Sequence, residues 1–328
     1  MNTAGYNISL QPIYWNIFMS ALICGSIAYD TIMVFHDKFK NHILPDKVHI
    51  LNVSFLVNSM RREFGGCAGN IAYNLKLLGG KPVLMGTVGT DFGPYAAWLE
   101  RCGIGLEHVK TIDHAYTAQA FITTDLDDNQ ITAFHPGAMN FSHENQVANV
   151  KKASIGIVSP DGREGMITHA TQFAEASIPF IFDPGQGMPM FDGDDLLTFV
   201  EQASWVTLNS YEAQLMQQRT GKSPHELAER VQALIVTSGN EGSHIYTGKK
   251  RIDIPVATPK TVTDPTGCGD AYRAGILYGL THDMDWETTG RIAALMGAIK
   301  VEQHGTQNHH FERAQFNARF KENFGYSL

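Results

Sequence analysis

The sequence predicts an α/β fold of three layers, in which a mostly parallel central sheet lies between two layers of helices. Two observations lead to this prediction. After residue 60, short runs rich in β-branched and aromatic residues alternate with stretches of helical spacing, and such alternation is typical of βαβ units. The chain also has 328 residues, of which 43 % are hydrophobic, and this is enough to bury one large core. We therefore expect a single domain over residues 1–328.

The predicted elements follow one another in the order that this fold requires. The apolar run Met19–Ala28 suits a buried strand with a tight turn at Gly25-Ser26, and Asn70–Leu78 has the apolar spacing of a helix. Further strands are predicted at Pro82–Val88, Ser154–Val158, Pro179–Phe182, Trp205–Leu208 and Ala233–Val236. Further helices are predicted at Tyr95–Cys102, Thr168–Ala176, Tyr211–Gln218, Pro224–Val231 and Ile276–Leu280.

Two stretches interrupt the alternation of strands and helices. Val48–Asn58 and Thr117–Phe134 both carry β-forming residues with little helix between them. A small antiparallel addition to an α/β body indicates a lid over a site, and we place this lid at about residues 31–63 and 112–136. An ordinary edge extension of the main sheet is the alternative that the pattern leaves open.

The second of these stretches is predicted to form a β-hairpin. Asp127-Asp128-Asn129 is a turn signal between the β runs Ala120–Thr124 and Gln130–Phe134. Phe121 and Phe134 are each about six residues from the centre of this turn, so we expect them to be near cross-strand neighbours on one face of the hairpin.

Composition excludes several classes of protein. Lys and Arg number 25 against 33 Asp and Glu, a net charge of −8, and no basic block is present, which argues against nucleic-acid binding. No Lys or Arg precedes Lys38, and the apolar run at residues 17–29 is short, so neither a secretory signal nor a membrane span is expected. The four cysteines form no CxxC pair, which favours reduced thiols and a cytoplasmic protein.

Motifs of other enzyme classes are missing from the sequence. There is no GxGxxG, HExxH or GxSxG, so dinucleotide binding, zinc proteolysis and α/β-hydrolase chemistry lose their usual support. Gly221-Lys222-Ser223 lacks the earlier glycine of a Walker A loop. His304, His309 and His310 have no Cys or acidic partners at ligand spacing, so we expect a solvated, mobile segment there rather than a metal site.

The strongest signal for chemistry is the segment from Asp264 to Asp270, Asp-Pro-Thr-Gly-Cys-Gly-Asp, which precedes an apolar helical stretch. A Gly-x-Gly turn that enters a helix presents free backbone N–H groups and the positive end of the helix dipole to an anion. Asp270 falls in the first turn of that helix, where a carboxylate suits proton abstraction from a hydroxyl that attacks phosphorus. A capped helix preceded by a glycine turn is the structural alternative.

A second cluster of small residues is Gly65-Gly66-Cys67-Ala68-Gly69-Asn70. Its glycines let the backbone approach a polar ligand closely, and the amide of Asn70 suits the recognition of hydroxyl groups. The alternative here is a tight turn at a helix start, with Asn70 near the cap.

Together, the two clusters resemble the two signatures of the ribokinase-like (PfkB) carbohydrate kinase family. The N-terminal signature is matched at Gly65, Gly66, Ala68, Asn70, Ala72, Gly79 and Gly89. The C-terminal signature is matched over Asp264–Gly275. The resemblance covers about residues 22–305 and implies the family's three-layer α/β/α fold and ATP-dependent phosphoryl transfer to a hydroxyl group.

Three positions depart from the usual pattern of this family. Cys268 stands where Ala, Ser or Gly is usual, and Arg273 where an apolar residue is usual. The family uses the backbone N–H at the first position, so the small Cys keeps that chemistry. Asp183-Pro184-Gly185 stands where the family often has Asp-x-Asn, so the contact of that Asn has no counterpart.

The resemblance implies a role for each matching residue. Asp270 is implied to be the general base, with the backbone N–H groups of Gly267, Cys268 and Gly269 as the anion hole. The acceptor-binding residues so implied are Asp30, Gly65, Gly66 and Asn70. The nucleotide-binding residues so implied are Asn209, Thr237, Gly239, Gly242 and Thr266. Glu212 is implied to hold Mg²⁺ through water, and Asp264, with the turn at residues 303–306, lies where many members bind K⁺.

The acceptor is the least determined part of this resemblance. The segments at residues 24–30, 64–70 and 118–121 look most like bacterial proteins assigned as adenosine kinases, which implies phosphorylation of the adenosine 5′-hydroxyl to give AMP. A purine needs an aromatic face, and Phe121 or Phe134 is the candidate, unless these rings pack only against the lid. A free-sugar kinase of the ribokinase, fructokinase or ketodeoxygluconate kinase type is the alternative, and a non-catalytic sugar- or nucleotide-binding regulator is a second one. A homodimer joined through the lid is one assembly that we expect.

Overall fold

The structure is a computed structural model that describes residues 19–43, 52–127, 129–151 and 153–328. The strands are β1 Ser20–Cys24, β2 Ala28–Phe35, β3 Val57–Gly65, β4 Lys81–Val88, β5 His108–Thr111, β6 Ala118–Thr124, β7 Gln130–His135, β8 Ala153–Val158, β9 Phe180–Phe182, β10 Trp205–Asn209, β11 Ala233–Thr237, β12 Ser243–Thr247 and β13 Lys250–Ile254. The helices are α1 Cys67–Leu77, α2 Gly93–Arg101, α3 Arg163–Glu175, α4 Gly193–Gln202, α5 Ser210–Thr220, α6 Pro224–Ala228, α7 Cys268–Thr281, α8 Trp286–Val301 and α9 Arg313–Phe324.

The main sheet has nine strands in the order β13-β12-β11-β10-β9-β8-β1-β4-β5. All neighbouring strands from β11 to β5 run parallel, whereas β12 pairs antiparallel with both β11 and β13. The strand order changes direction at β1, which lies between β4 and β8. In open α/β sheets, ligands bind beyond the carboxyl ends of the strands at such a reversal.

Helices cover both faces of this sheet, as the sequence predicts. On one face, α1, α2, α7, α8 and α9 pack against strand residues such as Ile23 and Ile157. On the other face, α3, α4, α5 and α6 pack against the alternate residues Leu22 and Val158. Because successive side chains of a strand point to opposite faces, strands buried on both sides need continuous apolar runs. This explains why their sequences lack polar alternation.

A second, small sheet has the order β3-β2-β6-β7. Its strands β6 and β7 pair antiparallel and form the predicted hairpin. At the turn, the Asp125 carboxylate accepts hydrogen bonds from the backbone N–H groups of Phe39, Asp127 and Asn129. Asp128, the middle residue of the predicted turn, lies outside the described residues.

The sequence prediction is wrong for β3, which is another strand of the small sheet. Of the predicted segment Val48–Asn58, residues 48–51 lie outside the described part, and the strand begins only at Val57 and continues to Gly65. The segment Asn58–Arg62 is exposed throughout, so it carries none of the hydrophobic alternation on which strand prediction depends. Helix α6 is also shorter than predicted, since it ends at Ala228.

No helix within the described ranges has both the length and the apolar character needed to cross a membrane.

Candidate active site

A cavity of about 1140 Å³ lies at the carboxyl edge of the parallel strands and extends under the small sheet. A pocket for one small molecule has roughly 300–1,000 Å³, so this cavity has room for two ligands. Most of the predicted site residues line it, namely Asp30, Gly66, Asn70, Phe134, Asn209, Glu212, Thr237, Gly239, Thr266, Gly267, Gly269 and Asp270. The other predicted site residues lie outside this lining, namely Gly65, Phe121, Gly242, Asp264 and Cys268.

The N-terminus of α7 points its backbone into the cavity. Gly267 precedes the helix with φ of 79°, a left-handed conformation that favours glycine. The N–H of Cys268 donates to the carbonyl oxygen of Pro265 at 3.1 Å. Of the three N–H groups of the predicted anion hole, that of Cys268 thus already has a carbonyl partner within the turn.

Asp270 is a partly buried carboxylate beside this helix start. Its Oδ2 accepts a hydrogen bond from Asn70 Nδ2 at 2.8 Å. Burial raises the pKa of Asp270 to about 7, against the opposing effects of the Asn70 hydrogen bond and the Arg273 charge. A carboxylate with a pKa near neutrality suits a general base at physiological pH.

Asn70 connects Asp270 to a network that the sequence did not reveal. Its Oδ1 accepts a hydrogen bond from Gln307 Nε2 at 3.0 Å, and the same Gln307 nitrogen contacts the Tyr95 hydroxyl at 2.6 Å. Trp98 Nε1 donates to Gln307 Oε1 at 2.9 Å. The network holds the amide of Asn70 in one orientation and leaves one N–H of that amide for a ligand. Gln307 belongs to no sequence motif. The feature of the sequence that could have indicated it is its position two residues after Gly305.

Asp30 lies on β2 and lines the part of the cavity under the small sheet, and Gly65 makes room for its side chain. A Cβ atom on Gly65 would lie 2.5 Å from Asp30 Oδ2, so a larger residue there would displace the carboxylate from this position. Burial, together with the charges of Glu63 and Asp264, raises the pKa of Asp30 to about 6. Asp30 is thus ionised at neutral pH and able to accept hydrogen bonds from hydroxyl groups.

Arg273 forms a buried ion pair on the cavity wall. Its guanidinium donates to both carboxylate oxygens of Asp183, at 3.1 and 2.9 Å, and lies 3.8 Å from Glu212. The side chain of Arg273 is only 6 % exposed. Arg273 and the Asp183-Pro184-Gly185 segment both depart from the family pattern, and the structure connects them. Asp183 lacks the Asn that usually follows it by two residues, and Arg273 is its partner instead. Glu212 in turn closes a capping box with Asn209 at the start of α5.

The two aromatic residues of the hairpin point in opposite directions, so the predicted shared face is wrong. Ala120 pairs with Phe134, whereas Phe121 pairs with Ala133. Side chains alternate between the two faces of a strand, so a register shifted by one residue reverses the face. Phe134 lines the cavity, and Phe121 faces away from it.

Residues 30–312 match the profile of the pfkB family carbohydrate kinase. The chain belongs to the pfkB family. The match spans both signatures and every predicted site residue, and it confirms the ribokinase-like resemblance.

Several nucleoside kinases are similar to this pfkB kinase. The nucleoside kinase of Burkholderia thailandensis, in a structure with inosine, is 51 % identical with a TM-score of 0.86, over 94 % of this chain and 99 % of that chain. The nucleoside kinase of Methanocaldococcus jannaschii is 34 % identical over 258 residues, which are 78 % of this chain and 85 % of that protein. The nucleoside kinase of Methanothermobacter thermautotrophicus is 31 % identical over 90 % of this chain and 97 % of that protein.

The acidic residues of this pfkB kinase fit a magnesium ion that arrives with its nucleotide. Within the described residues, no group of three His, Cys, Asp or Glu side chains could hold a metal directly. Mg²⁺ keeps several waters and binds through one or two carboxylates together with substrate phosphates. Glu212 and Asp183 line the same cavity as Gly267 and Gly269, so they would hold a hydrated Mg²⁺ through its waters.

Two further buried groups were missed or misjudged from the sequence. Asp161, three residues beyond β8, lines the cavity, and burial raises its pKa to about 7. His309 is buried and its Nε2 lies 2.7 Å from Asn74 Oδ1, so the expectation of a solvated segment is wrong there. Burial lowers the pKa of His309 to about 3. His309 is buried by contacts with α1, which is more than 230 residues away in the sequence. The polar residues around His309 in the sequence do not predict these contacts.

Proposed function

We propose that this pfkB kinase transfers the γ-phosphoryl group of ATP to the 5′-hydroxyl of a nucleoside, with adenosine as an acceptor that yields AMP. The observation that carries the proposal is the position of Asp270. It is a partly buried carboxylate with a pKa of about 7, at the first turn of a helix whose glycine turn faces a cavity with room for two ligands.

Asp270 would take the proton of the attacking hydroxyl. The free N–H groups of Gly267 and Gly269 and the positive end of α7 would bear the charge that develops on the transferred phosphoryl group. Magnesium, when bound through Glu212, would neutralise part of the phosphate charge. In phosphoryl transfer, the protein itself forms few or no covalent bonds. Positioning of the reactants and stabilisation of charge therefore account for most of the rate enhancement.

The acceptor end of the cavity supports a nucleoside. Asp30 and the spare N–H of Asn70 suit ribose hydroxyls, and Phe134 offers a ring face to a base. The similar Burkholderia thailandensis kinase has a structure in complex with inosine, so inosine is proposed as a second acceptor beside adenosine. A free sugar would use Asp30 and Asn70 but would leave Phe134 without a partner.

The other end of the cavity suits ATP. Asn209, Thr237, Gly239 and Thr266 lie along the ends of β10 and β11 and the turn before α7. The Burkholderia thailandensis kinase, at 53 % identity, is also known in complex with ADP-inosine. These features support the binding of both ligands of the proposed reaction beside Asp270.

A coupled assay of ADP release tests the proposal over adenosine, inosine, ribose, fructose and ketodeoxygluconate. We expect turnover with the nucleosides and little with the sugars. Asp270→Asn serves as the control that removes the base but keeps the shape of the side chain. Preferred turnover of a free sugar would replace the nucleoside proposal by a sugar kinase. Tight ligand binding without turnover of any acceptor would favour a regulator.

A further inference from the structure

Lys300, in the last turn of α8, is a buried cation that the proposed reaction does not use. Its side chain is 0 % exposed. Its Nζ donates to the carbonyl oxygen of Asp264 at 2.8 Å and to that of Gln303 at 3.1 Å. Among the ion pairs of the described residues, none includes Lys300. A charge is costly to bury without an ionic partner, so its position calls for a specific role.

The two carbonyl groups that hold Lys300 belong to segments next to the turn at residues 267–269. Phosphate is proposed to bind at this turn, which is called the anion-binding turn below. The Asp264 carboxylate accepts N–H hydrogen bonds from Thr266 and from Gly305, both at 2.9 Å. A Cβ atom on Gly267 would lie 3.1 Å from the side chain of Thr306. Lys300 therefore ties the segment before α7 to the turn at residues 303–306, directly behind the place where phosphate is proposed to bind.

The charge of Lys300 also acts on this part of the site. Partial burial would raise the pKa of Asp264, but hydrogen bonds from Thr266 and Gly305 and the Lys300 charge outweigh burial and lower it. Burial lowers the pKa of Lys300, and the neighbouring Cys268, Asp264 and Asp270 oppose this lowering. The charge of Lys300 thus acts on the Asp264 carboxylate.

A potassium ion, which the family resemblance implies at Asp264 and the turn at residues 303–306, does not fit these residues. K⁺ binds where several carbonyl oxygens replace its hydration shell. Here, two carbonyl oxygens of that region already accept hydrogen bonds from one ammonium group. We propose that the Lys300 ammonium takes the place of a monovalent cation behind the anion-binding turn, so that this kinase works without added K⁺. In this proposal, Lys300 is a positioning residue. The tests below that measure reaction rates rest on the proposed phosphoryl transfer.

The first test measures the wild-type rate in the chlorides of tetramethylammonium, Na⁺, K⁺ and NH₄⁺ at one ionic strength. We expect rates within about twofold of one another, because screening is then equal. Activation by K⁺ of about tenfold or more over tetramethylammonium, the factor that one charged hydrogen bond supplies, would overturn the proposal.

The second test removes the ammonium and returns a free cation. In tetramethylammonium, we expect Lys300→Ala to lower kcat about 10- to 100-fold, the factor expected for a charged hydrogen bond. NH₄⁺ or K⁺ should restore most of that loss, because the truncated side chain leaves space for the ion. Lys300→Met fills the space without a charge, so it should lose a similar factor and recover with no cation. Lys321→Ala removes a lysine from the exposed face of α9 and should respond to no cation.

A third measurement separates this proposal from the proposed function. Melting temperatures of Lys300→Ala should rise with NH₄⁺ or K⁺ relative to tetramethylammonium, and those of Lys321→Ala should not. If wild-type protein phosphorylates no acceptor, the proposed function fails, and the melting temperatures still decide whether a cation replaces Lys300. A folded Lys300→Ala variant that NH₄⁺ and K⁺ neither activate nor stabilise refutes the proposal. If that variant does not fold, the wild-type salt series and Lys300→Met still decide.

Discussion

The hairpin register predicts that Phe134, and not Phe121, contributes to the binding of a nucleoside base. Phe134 shares a strand face with Thr132 and lines the cavity, whereas Phe121 faces the other way. The two rings are similarly accessible, at 50 % and 40 % exposure, and both lie in the same hairpin. Phe121→Ala is therefore a matched control for Phe134→Ala, since both remove the same atoms from the same sheet.

The size of the effect follows from the position of the ring at the mouth of the cavity. Stacking of a base on an aromatic side chain contributes about 1–3 kcal/mol. Half of the Phe134 surface remains exposed, so we take the lower part of this range, about 1–2 kcal/mol or roughly 5- to 30-fold in affinity. The affinity for a sugar without a base should be unchanged by the loss of the ring.

The assay compares kcat/KM for adenosine, inosine and ribose in the two variants. Phe134→Ala should lose efficiency with both nucleosides and keep its activity on ribose, while Phe121→Ala resembles the wild type. Equal losses on nucleosides and ribose would mean that Phe134 only packs the small sheet. A selective nucleoside loss in Phe121→Ala instead would refute the register argument.

Four further predictions concern the charged groups of the site. Asp270→Asn should lower kcat by about 10²–10⁴-fold with little change in ATP binding by calorimetry, and near-normal turnover would remove the base assignment. In the wild type, kcat/KM should fall as pH drops through about 7, because protonated Asp270 cannot accept a proton; a rate that stays flat down to pH 5 would contradict this. Asp30→Ala should raise the acceptor KM about 10- to 100-fold, as expected for charged hydrogen bonds, and an effect on the ATP KM instead would mean that its role is misassigned. Arg273→Met leaves Asp183 buried without its partner and should lower the free energy of unfolding by about 3–5 kcal/mol. Urea denaturation measures this loss, and a change below about 1 kcal/mol, typical of an exposed pair, would show that the pair adds little.

Local patterns were sufficient to predict the main architecture. The apolar runs of β1, β8, β10 and β11 and the helices between them are visible because hydrophobic periodicity is a property of neighbouring residues. The two glycine clusters were equally visible, since tight turns and helix starts depend on residue types a few positions apart. The exposed strand β3 carries no such pattern, so its start was misplaced.

The hairpin shows where local information ends. The turn at residues 127–129 predicts that β6 and β7 pair, but a register one residue away is compatible with the same turn signal. Because side chains alternate in strands, that one residue decides whether Phe121 or Phe134 faces the cavity.

The sequence by itself determined the fold class, the order of strands and helices and the two turns that meet at the site. Only the tertiary structure decided which distant groups meet there: Asp183 with Arg273, Asn70 with Gln307, and Lys300 with the Asp264 carbonyl. The first two pairs join residues 90 and 237 positions apart. Such contacts depend on how helices pack across the sheet and on which groups lose their water together. No pattern of neighbouring residues carries that information.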